Sequence, residues 1–245
     1  MINDLFAGKS SPSSTPVQFL EELLSTLRHQ LGNSVNALKV TLDVLHENFD
    51  RFNDEKKREY LQRAKEVLAR QQAMVDAMKS YSSVNANDRK PMNFASFWEQ
   101  FLVILRQRTE KVTSGQSLPE GPCDVMGSPV AVQTVLSQLV ENALDAVDGM
   151  ENPKIELSVV CESEDLRISV TDNGCGIKLR DMSKIFVPLF TTKPKREGMG
   201  LSIALKLMVQ MDGRLEIAPR EEGGTAATIW LKRAGGENHG QAMQQ

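Results

Sequence analysis

A long heptad repeat near the start of the chain constrains the fold more than any other feature of the sequence. From Leu20 onward, apolar or small side chains recur in steps that alternate between four and three residues. The positions are Leu20, Leu24, Leu27, Leu31, Ser34, Leu38, Thr41 and Leu45. This spacing places one stripe of side chains along a helix, where it packs against a second helix. Thr15-Pro16-Val17-Gln18 supplies a capping box and marks where the predicted helix begins.

A second repeat follows after Phe49–Asp54, which breaks the pattern and predicts a turn. Its seam positions are Leu61, Ala64, Leu68, Gln71, Val75 and Met78. Each helix also has a flanking apolar stripe: Leu23, Ala37 and Val44 on the first, and Tyr60, Val67, Met74 and Tyr81 on the second. The combined apolar face is wider than one partner helix covers. The sequence therefore predicts a helical hairpin that dimerises into a four-helix bundle.

Composition excludes several classes of protein. The chain has 245 residues and a net charge of −3, so neither nucleic acid nor an anionic membrane is an expected partner. No apolar run is long enough to cross a bilayer, and the N-terminus does not have the pattern of a secretory signal. Cys123, Cys161 and Cys175 are dispersed and follow no CxxC spacing. We therefore expect a cytoplasmic protein with reduced thiols and no zinc site.

The remainder of the chain has the pattern of an α/β domain. Helical periodicity covers 94–108, 130–147 and 201–211, alternation typical of strands covers 155–160, 166–171, 214–217 and 225–231, and 82–91 and 113–122 are predicted as a linker and a loop. A mixed sheet with helices on one face fits this order. The predicted organisation is a flexible N-terminus (1–15), a dimerisation hairpin (16–85), an α/β domain (92–233) and a disordered tail (234–245).

Two glycine turns flank a cationic segment between Asp172 and Ser202. The first is Asp172-Asn-Gly-Cys-Gly-Ile and the second is Gly198-Met-Gly-Leu-Ser, with Phe186-Val-Pro-Leu-Phe-Thr-Thr-Lys between them. Glycine lets the backbone turn sharply or approach a ligand closely. The segment predicts a pocket for a phosphate-bearing ligand, covered by a mobile lid.

Together with Gln138-Leu-Val-Glu-Asn142-Ala-Leu-Asp-Ala on the preceding helix, these segments closely resemble the N, G1, F and G2 boxes of the GHKL ATPase superfamily, which includes gyrase, heat-shock chaperones and histidine kinases. His29-Gln-Leu-Gly-Asn33-Ser-Val resembles the H-box of sensor histidine kinases. The resemblance covers roughly residues 16–232. It implies an α+β protein, with an N-terminal helical hairpin and a C-terminal α/β sandwich of the GHKL ATPase type.

The resemblance implies a role for each matching residue. Asn142 is expected to ligate Mg²⁺ that bridges the ATP phosphates, and Asp172 to accept a hydrogen bond from the adenine amino group. Gly174 and Gly176 let the backbone pass close to the base, and the Gly198 and Gly200 turn exposes amides to the phosphates. The expected nucleotide contacts also include Asp145, Lys193, Lys195, Arg196 and Leu201.

The resemblance also implies a two-component histidine kinase. The γ-phosphoryl group passes to the Nε2 atom of His29 and then to an aspartate on the receiver domain of a response regulator. His29 falls at the outward heptad position f, so we expect it to be exposed. The seven residues between Phe190 and Gly198 make a short lid, which resembles the nitrogen-regulation and oxygen-sensing branch. The chain is either a transmitter from a longer protein or a short kinase signalled by an upstream sensor protein.

Two residues of the H-box depart from the family pattern. Gln30 stands where most members have an acidic residue that takes the proton, and Ser34 replaces the usual proline. Asn33 matches the position that orients water for dephosphorylation of the regulator. A phosphatase-biased transmitter and a non-catalytic nucleotide-binding scaffold therefore remain alternatives. His46, which has Glu47 beside it, is the alternative acceptor.

Gln138 is a further departure, in the nucleotide-binding domain. Hydrolytic GHKL ATPases have at that position a glutamate that activates water, and glutamine cannot do so. The sequence therefore favours phosphoryl transfer over gyrase-like or chaperone-like hydrolysis.

Overall fold

The computed structural model describes residues 16–109, 112–114, 123–193 and 196–234. The chain divides into two compact units, Met1–Val75 and Asp76–Gln245. The predicted flexible N-terminus with its Thr15 cap, Lys195 and the tail beyond Ala234 lie outside the described residues.

Two long helices, α1 (Pro16–Glu47) and α2 (Asp54–Ser83), form most of the N-terminal part of the chain. Residues 48–53 connect them, as the break in the heptad pattern predicts. The Asn53 side chain accepts a hydrogen bond from the Lys56 N–H at 2.9 Å, which satisfies one of the free amides at the start of α2. The Phe52 and Tyr60 rings stack at 5.3 Å and fix the entry into this helix.

Packing within the hairpin covers only part of the apolar surface. Leu45 and Ala64 are buried. In contrast, the seam residues Leu31, Leu61, Leu68 and Val75 are 41%, 49%, 51% and 41% exposed. Apolar residues at heptad positions are normally covered by another helix. The single chain therefore leaves a stripe of surface that a further helix would cover.

Beyond the end of α2, the described residues of the second unit form seven strands and three α-helices. They are β1 (Lys90–Asn93), α3 (Phe94–Arg108), β2 (Val112–Ser114), β3 (Asp124–Gly127), α4 (Pro129–Ala146), β4 (Ile155–Cys161), β5 (Asp165–Asp172), α5 (Gly200–Gln210), β6 (Arg214–Pro219) and β7 (Thr225–Lys232). A short 3₁₀ helix spans Leu179–Lys184. The main sheet has the order β2-β4-β5-β7-β6, and β1 pairs with β3 in a two-stranded sheet.

The main sheet is mixed, because β2 pairs in parallel with β4 while the other pairs are antiparallel. Its strands alternate between fully buried and partly exposed positions. The buried face includes Leu157, Ile168 and Ile229, and α4 contributes Val135 and Leu139 to the core. This confirms the predicted mixed sheet with helices on one face.

The predicted linker is more ordered than its polar sequence indicates. The backbone N–H of Ala86 donates to the side chain of Gln210 on α5 at 3.0 Å. Arg89 pairs with Asp212, and β1 begins at Lys90. The segment is fixed by side chains that lie more than 120 residues away in sequence, which a local pattern does not reveal.

The structure joins Cys123 and Cys161 in a disulfide, and Cys175 is a free, exposed cysteine. The expectation of reduced thiols is therefore wrong for one pair. The two cysteines are 38 positions apart, and the fold brings the start of β3 beside the end of β4. Within the described ranges, no helix is both long enough and apolar enough to cross a membrane.

Candidate nucleotide-binding site

Helix α4 carries the first group of candidate residues. Ser128 caps it by accepting the Ala131 N–H at 3.2 Å, and Pro129 follows at the first turn. Gln138, Asn142 and Asp145 follow one another at helical spacing on one side of the helix. The Nδ2 atom of Asn142 is buried and has no hydrogen-bond partner among the described residues. A buried amide nitrogen without a partner is costly unless a ligand or water satisfies it, so Asn142 is a candidate for ligand binding.

Asp172 ends β5 and is only 4% exposed. Its Oδ1 atom accepts the N–H of Gly174 at 2.8 Å and that of Thr225 at 3.3 Å. Burial raises the pKa of Asp172 above its ordinary value, against the opposing effects of these two N–H groups and of the positive charges of Arg220 and Lys193. The carboxyl group is thus held in one orientation in a largely dry environment.

The loop after Asp172 is pressed against the end of α4. A Cβ atom on Gly174 would lie 2.5 Å from the Ala146 carbonyl oxygen, so no other residue fits there without a shift of the backbone. The N–H of Cys175 donates to the same oxygen at 3.1 Å. This contact links the Asp172 loop directly to the helix that carries Asn142 and Asp145.

The second glycine turn leads into α5. Gly198 has a φ of +73°, and its carbonyl accepts the N–H of Leu189 at 3.0 Å. Gly200 lies so close to α4 that an added Cβ would overlap the Gln138 side chain and lie 3.9 Å from Asn142 Nδ2. Within the described part of the chain, the N-cap residue Met199 makes no side-chain cap hydrogen bond at the start of α5. The first amides of this helix, including those of Gly200 and Leu201, are therefore suited to bind an anion.

Two cations of the segment before Gly198 pair with acids on α4. Lys193 Nζ lies 3.1 Å from Asp145 Oδ2 and 3.3 Å from the Asn142 carbonyl oxygen. Arg196 contacts Asp145 at 2.8 Å and Glu141 at 3.1 Å. Burial alone would raise the pKa of Asp145, but hydrogen bonds from Arg196 and Lys193 outweigh it and hold that pKa below its usual range. The acids on α4 thus hold two cations beside Asn142.

The structure brings most of the predicted nucleotide contacts together. Asn142, Asp145, Lys193 and Gly200 lie side by side, and the Asp172 loop joins them through Ala146. Gly176 has a φ of +67° and lies beside the turn between β6 and β7. Lys195 lies outside the described residues.

The predicted phosphoacceptor region belongs to the first unit. His29 and Asn33 are exposed on α1, and Asn33 Nδ2 lies 3.3 Å from His29 Nε2. The side chain of Gln30 is outside the described part of the chain. His46 is also exposed, in the last turn of α1.

Sequence reasoning missed three residues that contact the Asp172 segment. Arg220 Nη1 donates to the Asp172 carbonyl oxygen at 2.9 Å, Thr225 donates to its carboxylate, and Gly224 packs on its backbone. The only signal in the sequence is Gly223-Gly224 before the last strand, which by itself indicates an ordinary hairpin turn.

The donor set suits ATP and Mg²⁺. The Asn142 amide offers an oxygen ligand of the type that Mg²⁺ prefers, and the amides at the start of α5 offer donors for phosphate. A buried carboxylate, linked through one helix to a glycine turn that opens a second helix, is the arrangement that the sequence predicts for a GHKL ATP-binding domain.

Comparison with known proteins identifies the domains. Residues 127–235 match the family described as "Histidine kinase-, DNA gyrase B-, and HSP90-like ATPase", and residues 19–87 match the "His Kinase A (phospho-acceptor) domain". The chain therefore carries a histidine-kinase phosphoacceptor domain followed by a GHKL ATPase domain.

Two curated relatives support this assignment. The chain is 31% identical to sensor histidine kinase ZraS of Escherichia coli over 121 residues, which is 49% of the chain and 25% of the relative. It is 25% identical to the C4-dicarboxylate transport sensor protein DctB of Pseudomonas aeruginosa over 218 residues, which is 86% of the chain and 36% of the relative. The chain thus spans about a quarter to a third of these relatives.

Solved structures agree on the fold. The catalytic domain of histidine kinase ThkA superposes with a TM-score of 0.52 and 26% identity, covering 59% of the chain and 95% of that domain. The same kinase, in complex with the response regulator protein TrrA, superposes with a TM-score of 0.57 and 21% identity, covering 89% of the chain and 63% of the kinase.

Proposed function

We propose that this chain is the transmitter part of a two-component sensor histidine kinase. It transfers the γ-phosphoryl group of ATP to His29 and then to an aspartate of a response-regulator receiver domain. The observation that carries this proposal is the conjunction of an exposed histidine on a phosphoacceptor helix with a second unit in which Asn142 Nδ2, buried and without a hydrogen-bond partner among the described residues, lies beside the start of α5. The complex of ThkA with a response regulator supports the class of partner.

The residues of the second unit would bind and orient ATP. Asp172 accepts a hydrogen bond from the exocyclic amine of adenine, and the amides of the Gly198–Leu201 turn bind the phosphates. Asn142 would hold Mg²⁺, which neutralises charge on the phosphates when bound. Lys193 and Arg196 are placed to exchange their acidic partners for phosphate oxygens.

In the first unit, His29 supplies the nucleophile. Its Nε2 lone pair attacks the γ-phosphorus, the bond to the bridging oxygen breaks, and ADP leaves with that electron pair. The Nδ1 proton of the phosphorylated ring passes to solvent. Asn33 Nδ2 lies 3.3 Å from Nε2 and would donate its N–H to the lone pair in the resting state, which favours the tautomer with the proton on Nδ1; this contact has to open before the same lone pair attacks. The regulator's aspartate then takes the phosphoryl group from Nε2.

The decisive experiment incubates the purified chain with γ-labelled ATP and Mg²⁺. The wild-type chain should acquire label that is labile in acid and stable in alkali. His29→Ala should lower labelling at least about 100-fold, because the nucleophile is lost. His46→Ala is the matched control and should label normally. Equal labelling of His29→Ala and the wild type would refute the site.

A second experiment concerns Gln30, which stands where most members of the family have an acidic residue after the histidine. We expect Gln30→Glu to raise the rate of labelling about 10- to 100-fold, since a carboxylate beside His29 acts as a general base. A wild-type chain that binds ATP, never labels and is activated by this substitution would indicate a nucleotide-binding scaffold instead.

A phosphatase-biased transmitter is the second candidate, and the contact between Asn33 and His29 favours it. The same amide that approaches Nε2 could orient a water molecule toward the phosphorylated regulator. Asn33→Ala should then slow the loss of phosphate from the regulator, while ATP binding is unchanged.

We also propose how the whole protein is organised. The hairpin (16–85) dimerises, the catalytic domain (92–233) binds ATP, and the protein works in the cytoplasm with a signal from an upstream sensor segment or protein. The short lid and the Phe-Thr-Thr-Lys-Pro run support the nitrogen-regulation branch. The exposed stripes of α1 and α2 support the dimer.

A further inference from the structure

The turn between β6 and β7 packs on the backbone of the Asp172 segment. The turn is closed by two hydrogen bonds, from the Arg220 N–H to the Gly224 carbonyl at 3.2 Å and from the Gly223 N–H to the Arg220 carbonyl at 3.1 Å. Gly224 lies so close to Asp172 that an added Cβ would overlap its carbonyl oxygen, and it would lie 2.8 Å from the Asn173 Cα. The turn therefore forms a wall behind the Asp172 backbone, called the back wall below.

Arg220 is the positively charged residue of this turn, and it is followed by Glu221 and Glu222. Its Nη1 atom donates to the Asp172 carbonyl oxygen at 2.9 Å, and its Nη2 atom lies 3.6 Å from Glu222 Oε2. The guanidinium is partly buried, with 27% of the side chain exposed. The Arg220 guanidinium thus contacts the backbone oxygen of Asp172, the residue whose side-chain carboxylate is buried.

The charge of Arg220 opposes the effect of burial on Asp172. Burial favours the neutral acid and raises the pKa of Asp172, while the positive charges of Arg220 and of Lys193 in the lid favour the carboxylate. The N–H groups of Gly174 and Thr225 act in the same direction. A protonated Asp172 would carry a donor, whereas a carboxylate only accepts hydrogen bonds.

We propose that Arg220 is a positioning residue for base recognition: its hydrogen bond to the Asp172 carbonyl oxygen fixes that backbone from behind and so holds the buried side chain in place as an acceptor for the exocyclic amine of adenine. This inference rests on the proposed ATP site. It assigns to the β6–β7 turn a part in selecting the base, and none in binding the phosphates.

The test compares Arg220→Gln, Arg220→Lys and the control Arg214→Gln. Arg214 lies on the adjacent strand β6, with its guanidinium 3.9 Å from the centre of the Trp230 ring. The substitution Arg214→Gln therefore removes an equal positive charge from a side chain that packs on Trp230 and not on Asp172. Affinity for ATP and for inorganic tripolyphosphate would be measured by titration calorimetry from pH 5 to pH 8. Thermal unfolding would verify that each variant is folded.

We expect Arg220→Gln to weaken ATP binding about 3- to 10-fold near pH 8, which corresponds to the loss of one hydrogen bond. Loss of the positive charge raises the pKa of Asp172 further, so the carboxylate is protonated at a higher pH. The fall in ATP affinity on acidification should therefore begin at a higher pH than in the wild type. Arg220→Lys keeps the charge and should restore the wild-type pH profile. Tripolyphosphate binding should not change.

Three results would overturn the inference. They are an unchanged ATP profile in Arg220→Gln, an equal loss for ATP and tripolyphosphate, and a shift of the same size in Arg214→Gln. A wild-type chain that binds no ATP would refute the proposed function itself, and the inference with it. Normal ATP binding by the wild type with an unchanged Arg220→Gln profile would refute the inference alone.

Discussion

Gly223 and Gly224 are neighbours with nearly the same backbone conformation and different surroundings. Their φ angles are +89° and +86°. A Cβ on Gly223 would meet nothing within 4 Å, whereas one on Gly224 would overlap the Asp172 carbonyl oxygen. Substitution of Gly223 by alanine therefore reports the free-energy cost of a side chain on a left-handed backbone. Substitution of Gly224 adds to this the cost of a steric clash.

We expect Gly223→Ala to cost about 1–2 kcal/mol of folding stability, because an L side chain is strained at this φ. Gly224→Ala should cost at least about 2 kcal/mol more, since the added methyl displaces the Asp172 backbone. ATP affinity should fall sharply only in the second variant. Chemical denaturation and ATP titration measure the two effects, and equal behaviour of both variants would contradict the structural account.

At the residue scale, the sequence predicts the site residues that lie within short, recognisable sequence motifs. Asn142, Asp172 and the glycines fall in local motifs, so they are recognisable without a structure. Arg220 is not, because its partner lies 48 positions away and its turn looks like any hairpin. The pairing of Arg196 with Asp145 and Glu141 is likewise not predictable from a local pattern, because Arg196 is 51 to 55 positions away from these two residues in sequence.

At the element scale, the acids of α4 and the phosphates of a bound ATP would compete for the two lid cations Lys193 and Arg196. Arg196 is held by Glu141 and Asp145, and Lys193 is held by Asp145. If these cations bind phosphate when ATP enters, the acids must release them first. The acids therefore set part of the free-energy cost of nucleotide binding.

We expect Glu141→Gln to tighten ATP binding about 2- to 5-fold, because a partly exposed ion pair contributes up to about 1 kcal/mol. The gain should shrink at high salt, which screens such pairs. Glu156→Gln is the control, since Glu156 on β4 pairs with Lys154 at 3.2 Å, whereas Lys193 and Arg196 pair with Asp145 and Glu141. Weaker ATP binding by Glu141→Gln would show that Glu141 supports the site rather than competing with it.

The exposed apolar seam of the two hairpin helices allows a test of whether they form a dimer. Leu68 lies on the seam of α2 and is 51% exposed, while Val40 on α1 is 60% exposed and lies outside both predicted stripes. Leu68→Glu should weaken a four-helix dimer at least about 100-fold, because it buries an unpaired charge. Val40→Glu should leave the dimer intact. Sedimentation velocity distinguishes the outcomes, and a dimer that tolerates Leu68→Glu would rule out this seam.

Among the elements, those with a strong period were predictable and the short ones were not. The heptad repeats and the alternating strands correspond to α1, α2, β4, β5 and β7. Strand β1 has the sequence Lys-Pro-Met-Asn and a single buried residue, so it has no period to detect. β2 has three residues, two of which fall in the region predicted as a loop (113–122). Both are held by pairing with β3 or β4, which is a property of the tertiary fold.

At the scale of the whole molecule, the disulfide between Cys123 and Cys161 closes a loop with a sequence separation of 38. In the chain-entropy account, such a crosslink adds up to about 4 kcal/mol to the free energy of unfolding. We expect a reductant to lower stability by part of this amount, and Cys123→Ser to abolish the effect. Cys175→Ser should retain it. Denaturant titrations with and without reductant measure the difference, and equal stability would show that the two thiols do not pair in solution.

The position of β7 has a consequence for how the protein is made. This strand is the last in the sheet to be synthesised, yet it lies between β5 and β6, and its first residue, Thr225, hydrogen-bonds to Asp172. A growing chain that has reached only β6 has no neighbour for that strand and no back wall behind the aspartate. On the ribosome, the Asp172 segment must therefore wait for the final strand, and the ability to recognise a base should appear late and in a single step.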